Sequence, residues 1–236
     1  MKRYYGCALG VALLAPAVVR ADGMVVDKIY HPYVDALENE LEYRALAQDA
    51  KQGFAGPAQR HQLSLGRSIG SRLFGEVYAV ANRARDGSVS VDAWEAELKW
   101  QLTEQGEYAA DWGLLFEYEN ERRVDAQEFS VTLLVEKEWG DWSGAANLHV
   151  INEWGDDIAA ELETALALQA RYRYSRLLEP GVELFAGQGT RGIGPVLQGT
   201  FNTRVRQSLH WEAGLILGLD ADSPNRTWRF LMEYEF

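Results

Sequence analysis

Ser208, His210 and Glu212 alternate along one segment, so an extended chain puts all three on one face. A Ser-His-Glu trio is competent for nucleophilic acyl transfer. Gly66-Arg67-Ser68-Ile69-Gly70 matches the G-x-S-x-G nucleophile pattern. That chemistry needs a strand-to-helix elbow, and Arg72 to Asn82 reads as another strand, so a plain turn is expected. Gly187-Gln188-Gly189-Thr190-Arg191-Gly192 matches G-x-G-x-x-G, but Gly194-Pro195 stands where the phosphate-binding helix must begin. It reads as a loop. Asp220, Asp222 and Asn225 hint at a calcium loop without the glutamate at its twelfth position. Four histidines, His31, His61, His149 and His210, stand at no metal-ligand spacing. His149 shares a face with Asn147 and Ile151, and no serine follows two positions on. The sequence therefore offers no catalytic set, no metal site and no cofactor, with Ser208 and its neighbours expected in a structural network.

The elements that hold these residues repeat with a period of two, which is the strand signal. Trp228, Phe230, Met232, Tyr234 and Phe236 alternate with Arg229, Leu231, Glu233 and Glu235. Trp94, Ala96, Leu98, Trp100 and Leu102 alternate with Glu95, Glu97, Lys99 and Gln101. Trp112, Leu114, Phe116 and Tyr118 face away from Glu117 and Glu119, and Phe129 to Val135 away from Glu128 and Glu136. About twelve such segments follow one another, near 40–48, 60–68, 73–82, 90–102, 111–120, 127–138, 142–151, 162–175, 181–187, 195–203, 207–218 and 227–236. Turn signals part them at Asp86-Gly87, Gly140-Asp141, Gly155-Asp156, Pro180-Gly181 and Asp220 to Asn225. No longer repeat and no linker interrupts the series, so residues 40–236 read as one domain.

The N-terminus reads as an address. Lys2 and Arg3 precede an apolar stretch from Cys7 to Val19, and Val19-Arg20-Ala21 supplies a small-x-small cleavage pattern. Residues 1–21 are expected to be a cleaved secretory signal, with Ala15-Pro16-Ala17 a second place to cut. Cleavage removes the chain's single cysteine, so the exported protein does not depend on disulfides. Residues 22–39 are expected as a periplasmic N-terminal extension, although His31-Pro32-Tyr33-Val34 would equally serve as a plug. The formal charge of −12, from 23 basic and 35 acidic residues, argues against a nucleic-acid partner. No apolar run reaches the roughly 18 to 20 residues of a membrane helix.

Alternation alone suits a soluble barrel, apolar inside, or a membrane barrel, apolar outside. Placement of the aromatics separates them. With both termini periplasmic, Trp100, Trp112, Trp139, Trp142, Tyr174, Trp211 and Phe236 gather near one rim, and Trp94, Tyr118, Phe129 and Trp228 near the other. Two aromatic girdles around an apolar band are what amphipathic rings at a headgroup boundary produce. Segments of about 9 to 11 residues suit tilted membrane strands. Connections Asp49 to Ala58, Asn120 to Ala126 and Asp220 to Asn225 are long and polar, as outer loops should be, while Gly140-Asp141 is tight.

An exported chain whose last strand alternates and closes on Tyr234-Glu235-Phe236 resembles a bacterial outer-membrane β-barrel, among them the small porin-like barrels of proteobacteria. The resemblance implies an all-β fold, a single antiparallel up-and-down transmembrane barrel in the outer membrane. Tyr234 and Phe236 would be the signal read by the barrel-assembly machinery, and lipid would surround the apolar face. Inward positions then include Glu95, Glu97, Glu117, Glu119, Glu128, Glu136, Arg171, Arg173, Glu183, His210, Glu212 and Arg229, with Arg204 and Arg206 near them. An acidic wall facing a basic wall would favour a small polar solute. Alternatively, Arg171 and Arg173 pair with Glu183 and Glu212 and fill the lumen, leaving a closed structural or accessory barrel. An outer-membrane lipid hydrolase using Ser208, His210 and Glu212 is the third reading.

Overall fold

The computed structural model describes residues 26–49, 57–123, 125–156 and 160–236. The expected export signal, residues 1–21, lies outside them, as do residues 22–25.

Twelve strands follow in order: β1 (Asn39–Asp49), β2 (Gln59–Ser68), β3 (Leu73–Arg83), β4 (Val89–Gln101), β5 (Asp111–Glu121), β6 (Ala126–Trp139), β7 (Trp142–Gly155), β8 (Glu161–Tyr172), β9 (Glu179–Gly187), β10 (Thr190–Arg204), β11 (Gln207–Gly218) and β12 (Arg226–Glu235). Each pairs antiparallel with its neighbours in sequence, and β1 pairs with β12 to close the barrel. The seam is fastened at its end by Asn39 and Phe236, whose backbones exchange hydrogen bonds of 3.0 and 2.9 Å. Closure leaves no unpaired edge, the condition for strands to stand in hydrocarbon.

Period-two patterning sets the faces. Leu41 and Tyr43 on β1 are exposed while Glu40, Glu42 and Arg44 between them are buried. The same holds on β12, where Trp228, Phe230 and Met232 point out and Arg229 and Leu231 in. Leu114, Leu133, Leu148 and Leu166 form one row across the outside of β5 to β8. A soluble barrel would reverse this arrangement. The apolar surface belongs against lipid, and the charged one encloses the lumen.

β1 begins and β12 ends on the same rim, here the terminal rim; the opposite one is the distal rim. The order of strands matches the alternation, but three bounds differ. β7 runs on to Gly155 rather than ending near 151, and Pro180-Gly181 lies within β9, paired with Leu197 and Val196, rather than in a turn. The third is the early start of β10. β10 begins at Thr190 rather than near 195, so Gly187 to Gly192 is a hairpin turned by Gln188 and Gly189, the latter at φ 77°. Pro195 hid this. Lacking an N–H, it leaves a gap in the β10–β11 ladder between Ile193↔Leu217 and Val196↔Gly214, yet still pairs with Val182 of β9. Loop length also fails to separate the rims: residues 102–110 form a long connection at the terminal rim, whereas the distal Gln188-Gly189 turn is tight.

Candidate functional site

The lumen is not empty. Residues 26–34 run inside it, from among the side chains of β7, β9 and β11 down to the terminal rim, where the exposed residues Asp35 to Leu37, the last at φ 69°, lead into β1. Of the two places the sequence leaves for the segment before β1, Val26 to Val34 occupy the interior. The wall is fitted to them. Val26 and Ile29 pack on Ala145, Ala167, Phe185 and Ile216, and Tyr30 on Leu115 and Leu134. Gly113 leaves room for Pro32: a Cβ there would stand 3.0 Å from that of Pro32.

Irregular backbone at membrane depth must find partners within the protein. Asn147 answers Tyr30 on both sides: Tyr30 N–H donates to Asn147 Oδ1 at 2.7 Å, and Asn147 Nδ2 donates to Tyr30 O at 2.9 Å. Val34 N–H donates to Gln101 Oε1 at 2.8 Å. Arg229 donates to the carbonyl of Asp27, and Arg44 to its carboxylate. The side chains add a second set. Tyr30 hydroxyl donates to Glu97 at 2.5 Å, His31 Nδ1 lies 2.7 Å from Glu136, and Tyr33 hydroxyl donates to Asp111 at 2.9 Å. Lys28 Nζ reaches Glu42 at 2.5 Å and the Tyr78 hydroxyl at 3.1 Å, 4.7 Å above the Tyr30 ring.

Among the described residues the remaining charges interleave, and no basic wall faces an acidic one. Arg229, fully buried, binds Glu183 at 2.6 Å and Glu212 at 2.9 Å. Arg171 turns instead to Glu136 and Glu179, at 3.4 and 3.3 Å, and Arg173 to Glu138. This corrects the expected pairing of Arg171 and Arg173 with Glu183 and Glu212: the β12 residue stands closer to both carboxylates than the β8 residues do. Arg60 of β2 binds Glu119 at 2.6 Å. Arg204 and Arg206 are exposed at the β10–β11 turn, away from the lumen. The Ser208 trio is not assembled. Ser208 hydroxyl donates to Glu235, while His210 lies 3.1 Å from Glu212 through Nε2 and 3.2 Å from Thr200 through Nδ1.

Register produces one feature that alternation does not announce. Glu95, Glu119, Glu128, Glu153 and Glu161 are successive partners across β4 to β8, a row of five glutamates nearer the distal rim. Like charges directly opposite one another weaken a ladder. One step inward, Glu117 accepts from Ser130 and Thr132 at 2.6 and 3.2 Å. At the terminal end the lumen widens to a cavity of about 230 Å³ beneath the Glu40–Glu235 pair.

Outside, Trp100, Trp112, Trp139 and Trp142 stand at the terminal ends of their strands and Tyr174 just beyond β8. Trp94 and Tyr118 pack together, ring centroids 5.3 Å apart, toward the distal rim with Phe129 and Trp228. Trp211 sits deeper, half-buried and opposite Gly199 and Met232. Tyr234 and Phe236 stack at 5.5 Å.

Comparison with solved structures places this architecture. The COG4313 outer membrane channel from Pseudomonas putida F1 superposes with a TM-score of 0.59, 13% identity, over 89% of this chain and 98% of that one. The KdgM porin in complex with disordered oligogalacturonate gives 0.53 and 12%, over 84% and 98%. The fold is that of the outer-membrane porin-like barrels. No protein-family model matches the sequence, and no curated protein does.

Within that fold, the residues that sequence reading missed are those of the lumen segment and its seat. Leu115, Leu134, Phe185 and Ile216 point inward among glutamates and are fully or almost fully buried. An apolar residue on the polar face was the available sign, since it needs something greasy to cover it. Glu40, Glu42, Arg44, Glu76 and Arg60 were also legible from the alternation of β1 to β3, but were not singled out.

Proposed function

We propose that the protein is an outer-membrane channel for a small polar solute, that it favours cations over anions, and that residues 26–34 close it. The row of five glutamates across β4 to β8 carries this reading. Rings of carboxylates select cations in narrow pores, because each lowers the potential along the path of a positive solute and raises it for a negative one. An oligogalacturonate, itself a chain of carboxylates, would meet repulsion here, so that cargo is not carried over from the KdgM porin. Partners on this reading are lipid around the outer apolar belt and the barrel-assembly machinery at Tyr234 and Phe236.

The test is reversal potential in a planar bilayer under a KCl gradient. Native protein should give cation preference, and Glu119→Gln with Glu128→Gln should cut the K⁺/Cl⁻ permeability ratio by roughly threefold or more. An unchanged ratio would remove the row from selection. A second reading, a closed structural barrel, is favoured by the buried Arg229 network and the filled lumen. It predicts no current even after the segment is released.

A further inference from the structure

Across the β1–β12 seam, Glu40 lies opposite Glu235 and Glu42 opposite Glu233, two inward like-charge pairs in succession. Such pairs weaken a ladder unless a cation or a proton comes between them. Glu42 has its cations, Lys28 at 2.5 Å and Arg44 at 2.9 Å. The others do not: among the described residues no Lys, Arg or His forms an ion pair with Glu40, Glu233 or Glu235. Glu40 is only 5% exposed, and its Oε1 has no hydrogen-bond partner. All three line the 230 Å³ cavity at the terminal end, together with the rings of Tyr30 and Tyr33 and the basic side chains of Lys28, Lys99, Arg171, His31 and His210. Lys99 lies 5.3 Å from the Phe74 ring, which leaves Tyr33, among the described residues, as the lining ring without a lysine over it.

The neighbouring corner shows what such a lining accepts. Carboxylate oxygens of Glu40, Glu42 and Glu76 come within 4.8 Å of one another, and the Lys28 ammonium stands beside them, over the Tyr30 ring at 4.7 Å and bonded to the Tyr78 hydroxyl at 3.1 Å. Carboxylates plus aromatic faces are the recognition chemistry of an ammonium group. A bare metal ion would need neither the rings nor a volume of this size.

We propose that this cavity binds a small organic amine, its charge taken by Glu40 and Glu233, and that Lys28 holds the adjoining corner as the protein's own ammonium. The inference rests on the lumen being a solute path open at the terminal rim. It names the class of solute.

Calorimetric titration of the full chain in detergent with 1,4-diaminobutane tests it, with MgCl₂ and sodium glucuronate as separate titrants. The diamine should bind saturably, and Glu40→Gln with Glu233→Gln should weaken its Kd by tenfold or more. Should that variant not fold, Lys28→Gln reads the same site, since vacating the corner should tighten the diamine Kd by threefold or more. No saturable binding of the diamine, binding equal in all variants, or saturation by Mg²⁺ alone would overturn the proposal. The titration needs no current. Amine binding by a barrel that never conducts would sink the channel reading and leave the amine site without a solute role. Conduction without amine binding would overturn this proposal and leave the channel reading.

Discussion

Deletion of residues 26–34 should raise single-channel conductance by roughly an order of magnitude, because it empties the middle of a twelve-stranded lumen that is otherwise filled. The segment spans the interior from the Phe185 and Ile216 side to Gln101 at the terminal rim. Its removal uncovers Leu115, Leu134, Phe185 and Ile216, which would then face water. A gentler variant meets that difficulty: Asp27→Ala with His31→Ala keeps the apolar seats and cuts the ties to Arg44 and Glu136. It should show frequent brief openings where the native protein is mostly shut. Bilayer recording reads both. Unchanged conductance from a folded deletion variant would mean that solute never passes where the segment lies.

Arg229→Met should destabilise the barrel by about 3 to 5 kcal/mol, the usual cost of leaving a buried charge without its partner. Two carboxylates lose their cation at once, Glu183 and Glu212, and the Asp27 carbonyl loses a donor. Replacing both acids as well, in Arg229→Met with Glu183→Gln and Glu212→Gln, removes the charges that need an answer and should recover most of the loss. Urea unfolding in micelles, followed by heat-modifiable gel mobility, measures both variants. If the single substitution were silent, the buried network could not be what keeps the interior in place. Glu183 accepts a further bond from Gln169 at 2.9 Å, which ties β8 and β9 into the same unit.

The barrel was legible because a strand with one lipid-facing side leaves its period in the sequence. Trp228 to Phe236 and Trp94 to Leu102 show it without interruption, and their outward faces follow. The start of β10 was not legible, because Pro195 breaks one ladder while keeping the other. Inward charges could be named one at a time but not paired. Arg229 meets Glu183 across three strand positions of a closed sheet, a neighbourhood that closure and register create together. The glutamate row is the same case: each acid is visible, and their common level is a property of register. Least visible was the seat of the lumen segment. Asn147 and Gln101 read as ordinary polar residues of the inner face, yet they supply the partners that an irregular backbone needs there.

A closed channel requires residues 26–34 to stand inside a tube whose greasy surface faces out. A cysteine pair at Pro32→Cys and Gly113→Cys tests this most directly, since a Cβ at 113 would lie 3.0 Å from that of residue 32, within a small shift of disulfide spacing, about 3.5 to 4.5 Å. In a background without Cys7, oxidation should form the intramolecular crosslink in folded protein and hold conductance at its low level, and reduction should restore the native openings. Failure to crosslink in a folded barrel, or a crosslinked barrel that conducts like the deletion variant, would contradict it.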